Sequence, residues 1–97
     1  MNSIAENSSA SQLSAHDLRV LAHLTMADLR ADIRKLENQI SVAKDELSDY
    51  EDGHKERPYR REFMATVRRE YRRWLRELRN QIAKTYALLR AKEAMAS

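Results

Sequence analysis

Cysteine is absent from this chain of 97 residues, and glycine and proline occur only once each. The lack of cysteine excludes a disulfide framework, a thiolate nucleophile and a cysteine-ligated zinc site. With so few turn residues, the chain does not have the composition of a β-sandwich, a β-barrel or a glycine-rich phosphate loop. These absences make an all-α fold the expectation.

Long apolar runs are also missing. No run approaches the roughly 20 residues that a membrane-spanning helix needs, and the first residues lack the basic and apolar regions of a signal peptide. We therefore expect a cytoplasmic protein with no membrane segment. The length favours a single domain, and the 18 basic and 15 acidic residues give a formal net charge of +3.

Apolar residues recur at steps of three and four on both sides of a polar stretch at residues 51–58. Before it stand Ala22, Met26, Leu29, Ile33, Leu36, Ile40, Ala43, Leu47 and Tyr50, and after it Met64, Val67, Tyr71, Trp74, Leu78, Ile82, Thr85 and Leu89. This is the period of a helix that buries one stripe. The pattern predicts an antiparallel helical hairpin in which Leu36 faces Tyr71.

Capping signals predict where the first helix begins and ends. Residues 1–12 are small and polar, which indicates a flexible N-terminal tail. Ser14 and Asp17 have the spacing of a capping box, so the first helix is predicted over 15–51. Gly53 is predicted to end this helix in the left-handed conformation.

The second helix is predicted to follow a loop at residues 52–57. Pro58 suits the first turn of a helix, because its fixed φ is helical and its missing N–H is not needed there. The second helix is therefore predicted over 58–93, with residues 94–97 as a C-terminal tail. Residues 13–93 form the predicted hairpin domain.

A second capping pattern lies inside the first predicted helix, at Thr25 and Asp28. Leu13, Val20 and Leu24 favour a break there and a short N-terminal third helix, since on a continuous helix they would point away from the buried seam. Threonine is tolerated within helices, however, and neither glycine nor proline intervenes. The continuous helix is our preferred prediction.

A two-helix hairpin has only one buried seam, so its stability is expected to be marginal. We expect it to dimerise into a four-helix bundle or coiled coil, or to dock on a partner protein. Apolar residues off the seam that a second surface would use include Val42 and Phe63, and the four chosen as interface residues are Leu13, Val20, Leu24 and Leu88.

Arginine is concentrated in the second predicted helix, on the side opposite Glu62, Glu70 and Glu77. At about 100° per residue, most of these arginines fall on one side of the helix and the others just beyond it. The candidate contact residues are Arg61, Arg68, Arg69, Arg72, Arg73, Arg76 and Arg79. Such a row would track a nucleic-acid backbone, bind an acidic protein, or pair with carboxylates of the first helix.

Metal binding and catalysis are not indicated. His16 and His23 stand seven residues apart, whereas metal-binding pairs on a helix usually stand three or four apart. A thin hairpin also offers little concavity for an active site. Tyr71 and Trp74 are predicted to be core residues, and Tyr59 and Tyr86 are candidates for contact with a partner at the rim of the seam.

The sequence therefore favours a small non-enzymatic regulator or adaptor that docks a helical hairpin on a larger protein and needs no cofactor. By analogy at the level of fold class, such hairpins are typical of phage and plasmid accessory proteins. One alternative is nucleic-acid binding through the arginines. The other alternative is a structural coiled-coil spacer. We expect the chain to form a homo-oligomer whether it is an adaptor or a spacer.

Overall fold

A computed structural model describes residues 14–96, which form three helices: α1 (Ala15–His23), α2 (Met26–Glu56) and α3 (Arg61–Ala96). Within this range there is no β-strand. Helices α2 and α3 pack closely as a hairpin. The predicted all-α class and hairpin are thus confirmed, and the described residues divide into two compact units. Unit 1 comprises residues 14–34 and 82–96, and unit 2 comprises residues 35–81.

The predicted continuous helix over 15–51 is wrong, because the chain breaks at Leu24 and Thr25. The Thr25 hydroxyl accepts the Asp28 N–H at 3.0 Å, and the Asp28 carboxylate accepts the Thr25 N–H at 3.0 Å. The same reciprocal pair joins Ser14 and Asp17 at the start of α1. Each box satisfies backbone N–H groups that have no partner within their own helix. The short N-terminal helix is therefore a separate element.

The sequence predicts that Gly53 ends the helix before the loop, and this prediction is wrong. Gly53 has no positive φ, and α2 continues through it to Glu56. Its carbonyl oxygen accepts the Arg57 N–H at 2.9 Å, which continues the helical bonding pattern. Residues 57–60 form the loop, and Pro58 lies within that loop and not in the first turn of α3. The loop thus lies later in the chain than the predicted 52–57.

The later loop changes which residues face each other in unit 2. The Tyr71 ring centre lies 5.9 Å from that of Tyr50, and the Tyr71 hydroxyl donates to Glu46 at 3.0 Å. Leu36 stands ten residues before Glu46, about 15 Å along a helix. The predicted pairing of Leu36 with Tyr71 is therefore wrong, because it assumed a turn centred several residues earlier.

Unit 1 is held by a small apolar core to which all three helices contribute. Its buried members are Leu21 from α1, Leu29 and Ile33 from α2, and Leu88 and Leu89 from α3. Burying each such side chain contributes about 1.5–3 kcal/mol. Helix α1 folds onto α3 because Leu21 and Leu24 have no apolar partners on a continuous helix.

Polar contacts also attach α1 to α3 in unit 1. The Lys84 ammonium lies 3.1 Å from the Asp17 carboxylate, and the Lys92 ammonium donates to the Leu21 carbonyl at 3.0 Å. The Leu21 carbonyl also accepts the Leu24 N–H at 3.3 Å, so the lysine adds a second donor to a carbonyl in the last turn of α1. A side chain from α3 thus reinforces the C-terminal end of α1.

In unit 2 the buried apolar residues follow the predicted period, with one correction. They are Ala43, Met64, Val67, Leu75 and Leu78. Trp74, predicted to lie in the core, is 38% exposed, and its neighbour Leu75 is buried in its place. The step from Tyr71 to the next buried position is therefore four residues and not three, which turns the indole towards solvent.

None of the helices in residues 14–96 combines the length and the apolar composition that a bilayer crossing requires.

Candidate interaction site

Unit 2 gathers five of the six aromatic residues of the chain into one connected set of rings. They are Tyr50, Tyr59, Phe63, Tyr71 and Trp74, here called the aromatic face. The Tyr50 ring lies at the centre, with centroid distances of 6.4 Å to Tyr59, 6.1 Å to Phe63 and 5.9 Å to Tyr71. Most of the pairs are edge-on or tilted, which the aromatic quadrupole favours over face-to-face stacking.

The loop positions Tyr59 through His54, near the end of α2. The Nδ1 atom of His54 accepts the Tyr59 N–H at 3.0 Å, and the two rings stack at 6.0 Å with an angle of 11° between their planes. Tyr59 also lies 5.2 Å from Phe63, one helical turn later. The loop therefore presents Tyr59 against both helices of unit 2.

Three members of the aromatic face remain open to solvent. Tyr59 is 41% exposed, Phe63 44% and Trp74 38%. Isolated exposed apolar residues are ordinary, but neighbouring large rings on one surface are typical of an interaction site. Aromatic side chains are also enriched among the residues that contribute most to protein–protein binding.

Carboxylates line the grooves beside these rings. One groove of about 330 Å³ is bounded by Glu46, Asp49, Tyr50, Tyr59 and Tyr71. The Tyr71 hydroxyl donates to the Glu46 carboxylate, and burial together with this contact raises the pKa of Tyr71. The phenol therefore stays protonated near neutral pH and holds the carboxylate in place.

A second groove continues along α3. It measures about 410 Å³ and is bounded by Glu70, Tyr71, Arg73, Trp74 and Glu77. Arg73 forms an ion pair with Glu70, the residue three positions before it. The aromatic face is thus flanked by carboxylates from both α2 and α3.

The arginines predicted as contact residues separate into paired and unpaired groups. Arg68 makes two bonds of 2.7 Å to Glu51 across the hairpin, which lower the pKa of Glu51 and raise that of Arg68. Arg69 bonds to the Thr66 hydroxyl at 3.4 Å. For the remaining predicted arginines, no ion pair is found with any residue of 14–96: Arg61, Arg72, Arg76 and Arg79. Arg72 nevertheless lies near enough to Glu51 for its charge to help lower the pKa of that carboxylate.

The four apolar interface residues predicted from the sequence occupy different environments. Leu88 is buried in the core of unit 1, and Leu24 packs against that core. Val20 is half-buried, and Leu13 lies outside the described residues. Leu88 thus belongs to the interior of the unit, and Leu24, which is partly buried at the end of α1, packs against that interior. Contact of Val20 with a partner stays a prediction.

Sequence reasoning found one part of the aromatic face and missed another. Tyr59 at the rim and Phe63 off the seam are both predicted as contact residues, whereas Trp74 is predicted to lie in the core. The spacing of four residues between Tyr59 and Phe63, and of three between Tyr71 and Trp74, was the available signal. Tyr86, by contrast, packs against the core of unit 1, with Arg90 6.0 Å above its ring.

No protein-family model, curated protein or solved structure matches the chain.

Proposed function

We propose that this chain is a small protein-binding adaptor or regulator, without catalytic activity of its own, that docks the aromatic face of unit 2 on a larger partner. The observation that supports this is the exposure of Tyr59, Phe63 and Trp74 on one connected set of rings. Rings fixed by neighbours lose little conformational entropy when a partner covers them. The surface is therefore preorganised for binding.

The rings of Phe63 and Trp74 are the expected anchors, because each joins large apolar area to a fixed position. Burying such a side chain in a well-packed interface is often worth 2 kcal/mol or more, roughly a thirtyfold change in affinity. Glu70 and Glu77, beside Trp74 in the same groove, would form part of the polar rim.

The test is a tagged capture from a lysate of the native host, with nuclease-treated and untreated halves read by mass spectrometry. We expect one stoichiometric protein that survives nuclease and is lost from the variant Phe63→Ser/Trp74→Ser. Leu18→Ser/Val42→Ser is the matched control, since Leu18 and Val42 are exposed apolar residues outside the aromatic face. Equal capture by both variants, or the bait alone, would contradict the proposal and favour the spacer.

Nucleic-acid binding is a second candidate, supported by the exposed arginines of α3 that have no ion-pair partner within residues 14–96. Arg72, Arg76 and Arg79 lie on one side of the helix, about 100° or less from each other. Guanidinium groups in such a row match the spacing of successive phosphates only loosely, so binding without sequence preference is expected. The aromatic face would then bind a protein, and the arginine side of α3 would bind nucleic acid.

Fluorescence anisotropy with a labelled single-stranded oligonucleotide at two salt concentrations tests this candidate. Binding that weakens steeply with salt, and is lost in Arg72→Glu/Arg76→Glu, would support it. Arg19→Glu/Arg34→Glu carries the same change of charge on exposed residues of unit 1 and serves as the control. Binding lost equally in both variants would reflect net charge alone and would count against a specific arginine surface.

A further inference from the structure

Carboxylates border the aromatic face on both helices of unit 2. Glu46 and Asp49 stand on α2 beside Tyr50, and Glu70 and Glu77 stand on α3 beside Trp74. Arg73 also lines the second groove, and it is bonded to Glu70. A partner that covers this surface therefore meets apolar rings together with the carboxylates of Glu46, Asp49 and Glu77, for which no ion pair with a residue of 14–96 is found.

The groove of about 330 Å³ joins both features in one place. One oxygen of Glu46 is held by the Tyr71 hydroxyl at 3.0 Å. The carboxylate nevertheless keeps acceptor capacity, since each ionised oxygen takes more than one bond. Asp49 lies on the same side of α2, three residues later, and is exposed. Two anionic acceptors thus stand beside the rings of Tyr50 and Tyr59.

A guanidinium group fits this combination better than an ammonium group does. It is planar, it stacks on aromatic rings, and its fork of donors matches carboxylate oxygens. Because the groove is open and partly lined by rings, stacking and charge pairing can act on the same side chain. A neutral or acidic partner would leave Glu46 and Asp49 covered without compensation.

Resting on the proposed function, we propose that the partner presents a basic segment to the aromatic face, and that one of its arginine side chains lies in the groove between Glu46, Asp49 and the tyrosines. Apolar residues of the same segment then cover Phe63 and Trp74. Charge complementarity selects the partner, and the rings supply most of the buried area.

A second copy of this chain fits the surface less well. A two-fold axis that passes through the groove would bring Glu46 and Asp49 of the two copies together, which is repulsive. The chain's own arginines on the other side of α3 would reach the groove in a head-to-tail arrangement. Such contacts give rings when the rotation closes and open filaments when it does not.

The experiment uses the full ¹⁵N-labelled chain and two short peptides as probes. One is acetyl-Ala-Arg-Leu-Arg-Ala-amide, and the other carries citrulline in place of both arginines, which removes the charge and keeps the shape. We expect the arginine peptide, at millimolar concentration, to shift the amide resonances of residues 46–50 and 59–63. The citrulline peptide is expected to bind at least fivefold more weakly.

Matched variants locate the charge effect. Glu46→Gln/Asp49→Asn is expected to weaken arginine-peptide binding by roughly fivefold. Glu37→Gln/Asp45→Asn makes the same change at exposed residues of α2 that do not line the groove, and it is expected to bind as the unchanged chain does. Circular dichroism of each variant confirms that the helices are retained.

Equal binding of the two peptides, shifts confined to other residues, or equal affinity of both variants would overturn the inference. If the arginine peptide fails these tests but a lysate protein is still lost in Phe63→Ser/Trp74→Ser, the proposed function stands and only the basic partner is rejected. If no lysate protein depends on those rings, the proposed function itself fails. Sedimentation equilibrium completes the test, because self-association abolished by Phe63→Ser/Trp74→Ser would assign the face to a second copy and reject the basic partner.

Discussion

The Tyr59 hydroxyl oxygen lies 2.9 Å from the point that a Cβ atom on Gly53 would occupy. Gly53 is inside α2 and has no positive φ, so it is not needed for backbone freedom. Its missing side chain instead leaves room for the end of the Tyr59 side chain, whose ring stacks on His54. The single glycine of the chain thus lies beside one edge of the aromatic face.

Gly53→Ala should therefore have an effect that depends on Tyr59. Alanine favours a helix interior over glycine by about 0.5–1 kcal/mol, but its methyl group would displace the Tyr59 hydroxyl. In the background Tyr59→Phe the hydroxyl is absent, so the full gain in stability is expected there and a smaller one in the unchanged chain. Urea unfolding followed by circular dichroism measures the four free energies of unfolding.

The same two substitutions test the position of the ring. In Gly53→Ala, the NMR signals of Tyr59 and His54 are expected to shift as the stacked pair separates. An identical gain from Gly53→Ala in both backgrounds would show that the two residues do not interact, and would contradict the close approach as the reason for glycine.

The break between α1 and α2 depends on the cap at Thr25. Thr25→Ala removes the hydroxyl that accepts the Asp28 N–H and should lower the free energy of unfolding by about 1 kcal/mol. Thr25→Ser keeps that hydroxyl and is expected to retain most of the stability. Equal loss in both variants would mean that the capping bond contributes nothing, and thermal unfolding of the pair measures the difference.

The packing of α1 depends on Leu21, which is 1% exposed in the core of unit 1. Leu21→Ala should cost about 2–5 kcal/mol, because it removes buried apolar surface and leaves a cavity. Leu18 is 53% exposed on the same helix, so Leu18→Ala should change stability by less than about 0.5 kcal/mol. Similar urea midpoints for the two variants would show that α1 does not pack as described.

The free energy of unfolding should fall in acid, because three carboxylates have a lower pKa in the folded chain than in the unfolded chain. Backbone N–H bonds lower the pKa of Asp17 and Asp28, and the bond from Arg68 lowers the pKa of Glu51. A carboxylate with a lowered folded-state pKa stabilises the fold above its unfolded pKa, near 4. This stabilisation is lost as the pH falls through the folded pKa, so the loss is expected below about pH 4.

Urea unfolding between pH 7 and pH 3 measures this loss. Glu51→Gln removes one contribution and should give a smaller decrease in stability across that range than the unchanged chain shows. Glu37→Gln, at an exposed glutamate for which residues 14–96 supply no ion pair, is the control. A decrease unaffected by Glu51→Gln would mean that the bond to Arg68 does not stabilise the fold.

Much of the local structure could be read from the sequence, because it depends on neighbours along the chain. The period of Leu29, Ile33 and Met64 predicts helices with one buried stripe, and the boxes at Ser14 and Thr25 are both visible as spacings. The arginines of α3 were likewise placed on one side by helix geometry alone. Whether a partner contacts them stays a prediction.

Tertiary contacts chose between alternatives that the local signals left nearly equal. A helix cap contributes about 1 kcal/mol to stability. The difference in helix propensity at a single residue is of similar size, up to about 1 kcal/mol, so neither preference decides whether the chain breaks at Thr25. Burying Leu21 against Leu88 and Leu89 contributes more, and it requires the break. Gly53 likewise continues in the helix, and the Tyr59 side chain occupies the space beside it. Helix content and capping were thus determined by the sequence itself, whereas the break, the position of the turn and the exposed aromatic face were decided by packing, since long-range burial outweighs these local preferences.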